Sequence, residues 1–208
     1  MLRVGLTGSI GVGKSFVSSV LAELGCRVLD ADDTAREVVA PGSAGLQAVI
    51  ASFGEEVLTS DGALDRSKLG ALVFTDDSKR VRLNSILHPY IIAKQDEQLR
   101  QWEAQDAKAI AVVDAALMIE SGGYRRFDKL IVVHCRKDVQ IERLMARNHL
   151  SREEAERRIS SQMTQDEKKQ FADYLIDTSE GFDSARAQAF EVYEKLRQDS
   201  ERLDASLL

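Results

Sequence analysis

Apolar residues recur along this chain in two rhythms. Short runs at LRVGLT (2–7), RVLD (27–30), KAIAVVD (108–114), KLIVVHC (129–135) and DYLID (173–177) have the length and β-branched content of buried strands. Between them apolar residues fall at helical intervals, as in FVSSVLAELG (16–25). Strand and helix alternate, which predicts a mainly parallel five-stranded sheet with helices on both faces, its ligands gathered at the carboxyl ends of the strands.

The rhythm breaks between the second and third strands. That gap is much longer than a simple crossover, and its pattern is helical. PGSAGLQAVIASFG (41–54), DRSKLGALVF (65–74) and DDSKRVRLNSILHPYIIAKQDEQLRQW (76–102) each begin with capping residues or glycine. The expected organisation is one domain with a core at about 1–34 and 106–208, and an inserted helical lobe at about 35–105 that holds a second substrate. After the fourth strand, KDVQIERLMARNHLSREEAERRISSQM (137–163) gives two arginine-dense helices, read as a lid at about 137–162.

GLTGSIGVGKSF (5–16) supplies the first chemistry. It joins a strand to a helix and fits GxxxxGK[ST] through Gly8, Gly13, Lys14 and Ser15. Gly8, Gly11 and Gly13 let successive amides turn toward one anion at a helix N-terminus. In this motif the lysine reaches the β- and γ-phosphates and the hydroxyl ligates Mg²⁺. The alternative, a glycine-rich turn that binds nothing, does not explain lysine and hydroxyl at these offsets.

Three other features refine the picture. Asp30, Asp32 and Asp33 cluster where the second strand ends; Asp32 is the candidate to orient an attacking hydroxyl and accept its proton. The alternative is that these aspartates cap the next helix, a role that suits Asp33. Arg143 and Arg147, four apart, share a helix face. They either neutralise phosphoryl charge or pair with Glu142 and the 153–156 acids. Asp114, ending the third strand, either holds a Mg²⁺-bound water or is a polar strand terminus.

Composition narrows the class. Of 208 residues, 44% are hydrophobic and 30% charged, a soluble balance, and the net charge of −6 argues against general nucleic-acid binding. The opening MLRVGLTG has no signal-peptide pattern and no stretch could span a bilayer, so a cytoplasmic protein without membrane contact is expected. Cys26 and Cys135 sit beside strands and read as buried thiols; His88, His134 and His149 lack ligand spacing. A regulatory GTPase would carry DxxG after the third strand and NKxD before the last helix, and neither is present. A mechanical or nucleic-acid-dependent ATPase would need a larger chain or a basic surface. Transfer of a phosphoryl group to a small acceptor remains.

Taken in order, GLTGSIGVGKS, VLDADDTAREVV, DRSKLGALVF with LNSILHP, and RISSQMTQDEKKQFADYLID resemble the dephospho-coenzyme A kinase family over nearly the whole chain. They set it apart from shikimate, gluconate and nucleoside monophosphate kinases. The resemblance implies a three-layer P-loop kinase fold and transfer of the γ-phosphate of ATP to the ribose 3′-hydroxyl of dephospho-CoA. It implies that Gly8, Gly11, Val12, Gly13, Lys14, Ser15, Phe16 and Arg147 bind ATP, and that Lys14, Asp32 and Arg143 are catalytic. It also implies that Asp32, Arg66, Arg82 and His88 face the acceptor; Ser15 and Asp114 are expected to serve Mg²⁺ by analogy with phosphate-loop enzymes. For His88 a helix boundary before Pro89 is the competing explanation. The chain departs from the family at Ser9 and Val12, where a glycine and a serine are common. It departs again at Ala116, where the family has proline, and at Thr178, where it has asparagine.

Overall fold

The computed structural model describes residues 1–74 and 76–205. Thr75, within the expected helical lobe, and 206–208, at the end of the expected core, lie outside the described residues. The five strands are β1 (Leu2–Thr7), β2 (Arg27–Asp30), β3 (Ile110–Asp114), β4 (Lys129–His134) and β5 (Tyr174–Asp177), in the order β2-β3-β1-β4-β5. β1 pairs in parallel with β3 and β4, and β4 with β5. In that register Leu6 stands beside Asp114, Thr7 beside Val132 and His134 beside Asp177, so these strands end on one edge.

The strand ends differ from the sequence reading by a residue or two, for local reasons. The Asp106 carboxylate accepts the Lys108 N–H at 2.9 Å and its carbonyl the Ala109 N–H, so 106–109 is a turn and β3 begins later. Cys135 leaves the ladder because its N–H goes to the Gln165 side chain at 2.9 Å.

The chain divides into two compact units, Met1–Leu29 with Trp102 onward, and Asp30–Gln101. The first buries Leu2, Val4 and Leu6 of β1, Val112 of β3 and Ile131 of β4. Val17, Val20 and Leu21 of α1 (Lys14–Glu23) and Ala189, Val192 and Leu196 of the last helix pack against them. This is why β1 and β3 read as near-continuous apolar runs: strands covered on both faces have little place for alternation. Cys26 and Cys135 are buried free thiols, and burial pushes Cys26 up to about 12. No helix among the described residues is long and apolar enough to cross a membrane.

The second unit holds α2 (Ala31–Glu37), α3 (Ala44–Phe53), α4 (Arg66–Phe74) and most of α5 (Asp77–Gln105), around Val39, Val49, Val57 and Leu69. The capping residues of its three longer helices act as such. Ser43 accepts the Leu46 N–H at 3.2 Å, Asp65 that of Lys68 at 3.0 Å, and Asp76 that of Ser78 at 2.9 Å. His88 does not bound a helix: α5 runs through Pro89, and helical structure on both sides of the proline absorbs the loss of one N–H. After β4 come α6 (Lys137–Asn148), α7 (Arg152–Ser160) and α8 (Gln165–Lys169), and α9 (Phe182–Ala205) closes the described chain.

Candidate active site

The loop leaving β1 springs from the middle of the sheet edge and ends in α1. Gly8 has no room for a side chain, since a Cβ there would lie 2.6 Å from the Val133 carbonyl oxygen. Gly13, the residue before α1, has φ 87°, a left-handed conformation that L side chains disfavour. The Phe16 N–H bonds the Gly13 carbonyl at 3.1 Å. Among the described residues, the N–H groups of Gly11, Gly13 and Ser15 have no protein acceptor. Amides so disposed at the N-terminus of a ten-residue helix form a cradle for an anion.

Lys14 does not lie open on the loop. Its side chain is 18% exposed, and Nζ forms an ion pair with the carboxylate of Asp114, itself 4% exposed at the end of β3. The β1–β3 register produces this meeting, because it sets Asp114 beside Leu6, two residues before the loop. Ser15, in the first turn of α1, is exposed.

Arg143 pairs with neither Glu142 nor the acids of α7. Its Nη2 donates to the Thr178 carbonyl at 2.7 Å, and its Nη1 to Thr178 Oγ1 at 2.8 Å and to the Val12 carbonyl at 3.5 Å. The guanidinium thus lies against the phosphate loop, and a Cβ on Gly13 would sit 3.4 Å from its Nη1. Arg147 is exposed and donates to Asn148 at 3.0 Å. The side chain of Val12 is buried, and that of Phe16 packs on Phe182 with ring centroids 4.7 Å apart.

α6 carries an amphipathic face despite its charges. Gln140, Ile141 and Leu144 are buried, and Ile141 and Leu144 pack with Ile10 of the loop and Ala155 of α7. Its charges other than Arg143 lie on the exposed side of the helix.

Several buried groups around the loop escape a sequence reading. Gln140 donates to the Ile10 carbonyl at 2.7 Å, and Gln162 accepts the Ile10 N–H at 2.8 Å. Ser9 donates to the Met163 carbonyl at 3.3 Å, and Thr178 to the Val12 carbonyl at 2.6 Å. Lys168 is fully buried, with Nζ 2.7 Å from the Ala116 carbonyl and 2.8 Å from Glu120, and so fixes the turn after β3. Glutamine and lysine in charged helices look like solvated residues, and only the tertiary fold reveals them. A cavity of about 920 Å³ lies beside the loop, lined by Ser9, Gln140, Arg157 and Met163; Lys14 and Ser15 do not line it, so it is not the phosphate site.

The other candidates belong to the second unit. The helix cap after β2 is neither Asp32 nor Asp33 but Asp30, whose carboxylate accepts the N–H of Asp32 at 2.7 Å and that of Asp33 at 3.4 Å. Asp33 pairs with Arg36 at 2.6 Å. Asp32 is exposed. Arg66, Arg82 and His88 are exposed as well, and the Arg82 guanidinium lies 6.0 Å from the Phe53 ring centroid. Arg82 and His88 project from different sides of α5, being six residues, or about 120°, apart around it. A cavity of about 540 Å³ in this unit is lined by Tyr90, Lys94 and Arg100 among others, and not by Arg66, Arg82 or His88.

Comparison with known proteins agrees with this architecture. The family model described as dephospho-CoA kinase matches residues 2–184. A dephospho-CoA kinase of Thermobifida fusca is 41% identical over 95% of this chain and 97% of its own. One of Aromatoleum aromaticum is 45% identical over 89% of each. Among solved structures, dephospho-CoA kinase from Campylobacter jejuni superimposes with a TM-score of 0.72 at 28% identity, covering 95% of this chain and 98% of the other.

Proposed function

The chain belongs to the dephospho-CoA kinase family, and from that premise we propose how its own residues carry the reaction. It is a phosphotransferase with an alcohol acceptor, converting ATP and dephospho-CoA into ADP and coenzyme A, the last step of coenzyme A biosynthesis. The acceptor atom is the ribose 3′-hydroxyl oxygen. A bond forms from it to the γ-phosphorus, the bond from that phosphorus to the ADP oxygen breaks, and the hydroxyl proton passes to the Asp32 carboxylate.

The observation that supports this most is the loop with its lysine. The amides of Gly11, Gly13 and Ser15 cradle phosphate oxygens, and Lys14 exchanges its Asp114 partner for the β- and γ-phosphates, where charge grows as the bond breaks. Arg143, already against the loop, adds a second cation. Arg147, exposed one turn further along the same face of α6, joins it. In the helical unit Arg66, Arg82 and His88 face the acceptor, and the lid of α6 and α7 excludes water that would otherwise take the phosphoryl group.

The donors present fit Mg²⁺. The Ser15 hydroxyl and the Asp114 carboxylate are hard oxygen ligands, and among the described residues no group of three or more His, Cys, Asp or Glu could cage a metal unaided. That suits an ion carried largely by phosphates and water. When bound, it neutralises charge on the phosphate oxygens.

The test is to supply ATP and Mg²⁺ with dephospho-CoA, shikimate, gluconate and nucleoside monophosphates in turn, with and without EDTA. Dephospho-CoA alone should be phosphorylated, and EDTA should abolish the transfer. Phosphorylation of another acceptor in its place would overturn the substrate, and full turnover in EDTA would overturn the metal.

A further inference from the structure

We infer that Gln140, Gln165 and Thr178 are positioning residues that aim the phosphate loop's amides; the inference rests on the reading of that loop as the ATP phosphate site. The reasoning starts from the peptide unit. In a trans peptide the C=O of one residue and the N–H of the next point in opposite directions. Whatever holds the Ile10 carbonyl therefore aims the Gly11 N–H, and whatever holds the Val12 carbonyl aims the Gly13 N–H. Gln140 Nε2 donates to the first at 2.7 Å, and Thr178 Oγ1 to the second at 2.6 Å. Each is a buried side chain, 1% and 3% exposed, from a different element.

Both aimed residues are glycines with positive φ, 80° at Gly11 and 87° at Gly13. Peptides flanked by such residues turn over at little steric cost, and a turned peptide would present a carbonyl oxygen to a phosphate. Thus the permissive backbone that lets the cradle form also needs something to fix its direction. The Gln140 end of the device has a fixed polarity. The Cys135 N–H can only donate, and it donates to Gln165 Oε1 at 2.9 Å. Gln165 must then present its NH₂, which reaches Gln140 Oε1 at 2.7 Å, and Gln140 in turn presents its NH₂ to Ile10. A backbone amide at the end of β4 thereby sets the direction of a backbone amide in the loop, through two side chains. At the other end Thr178 Oγ1 accepts from Arg143 at 2.8 Å and has two carbonyls to donate to, Val12 at 2.6 Å and His134 at 3.4 Å; the shorter contact directs its hydrogen to Val12.

The test uses inorganic tripolyphosphate as the probe, since it has no base or ribose and reports on the cradle alone. Thr178→Val removes the hydroxyl at nearly constant volume, Gln140→Met removes a donor at nearly constant length, and Gln165→Glu leaves the loop untouched while abolishing the donor that orients Gln140. Each should weaken tripolyphosphate binding by calorimetry about tenfold. Each should also raise KM for ATP in parallel, with KM for dephospho-CoA within about twofold, while the melting temperature without ligand falls by roughly the few degrees that one lost buried hydrogen bond costs. Thr178→Ser, which keeps the hydroxyl, should restore binding. Folded Thr178→Val and Gln165→Glu proteins that bind tripolyphosphate as the wild type does would overturn the inference, and these two decide it even if Gln140→Met fails to fold. A wild-type protein that binds no tripolyphosphate would instead overturn the underlying ATP reading.

Discussion

Lys14 and Asp114 form an ion pair inside the fold, at the end of the loop proposed to hold phosphates. A lysine in a glycine-rich loop reads from sequence as exposed and dispensable for stability. The parallel register of β1 and β3 instead brings it to a carboxylate that is 4% exposed. Lys14→Ala should lower turnover a thousandfold or more, by removing a cation from the transition state. It should also destabilise the protein by roughly 1–3 kcal/mol, because it leaves Asp114 buried without its ion-pair partner. Denaturant unfolding checks the second effect. Adding Asp114→Asn to that variant should recover part of the stability and none of the activity. The aspartates after β2 separate in the same way. Asp32→Asn should lower transfer roughly a hundredfold with ATP binding and stability unchanged. Asp33→Asn should leave transfer intact, and Asp30→Ala should cost about 1 kcal/mol as a lost cap. Full turnover in Asp32→Asn would remove it as the base, and an equal loss at Asp33 would transfer the role. The sequence DADD offers three carboxylates for one cap, and only the extended backbone of Asp30, φ −84° and ψ 122°, identifies which one serves.

Among the elements, the strands and the caps of the three longer helices of the insertion were legible, and the cap after β2 and the polar interior were not. Five short apolar runs gave five strands, because strands buried on both faces leave a continuous signal, while their ends were set by side chains such as Asp106 and Gln165 that periodicity does not report. The helical spacing of 76–102 runs through Pro89, where a boundary is the competing explanation, and α5 continues past it for sixteen residues to Gln105. Lys168 and Gln140 sit in charged segments and prove to be among the most buried side chains. The segment proposed as a lid follows the same division. α6 is anchored through Ile141 and Leu144, whereas the buried residue of α7 is Ala155 alone among its described positions. With a nonhydrolysable ATP analogue, amide exchange across 143–158 should slow, and most in α7, whose few apolar contacts leave it the readier to open. Identical exchange with and without the analogue would argue against a lid.

At the scale of the whole molecule, the chain forms two compact units. The sheet unit holds the loop, its lysine and its arginine, and the helical unit between β2 and β3 carries Asp32 and a cavity lined by Lys94 and Arg100 together with Glu37 and Glu97. The alternation of strands with helices is interrupted once by a long helical insertion, and an insertion between two neighbouring strands lengthens a crossover without breaking the sheet. What the periodicity does not name is the acceptor; that comes from the family and from the chemistry it shares with this chain. The most direct test is therefore the identity of the new bond. Phosphorus NMR of the product formed from ATP and dephospho-CoA should show one new phosphomonoester coupled to the proton on the ribose 3′ carbon. A phosphate on the 2′ position, on the pantetheine arm, or on no atom of dephospho-CoA would contradict the account.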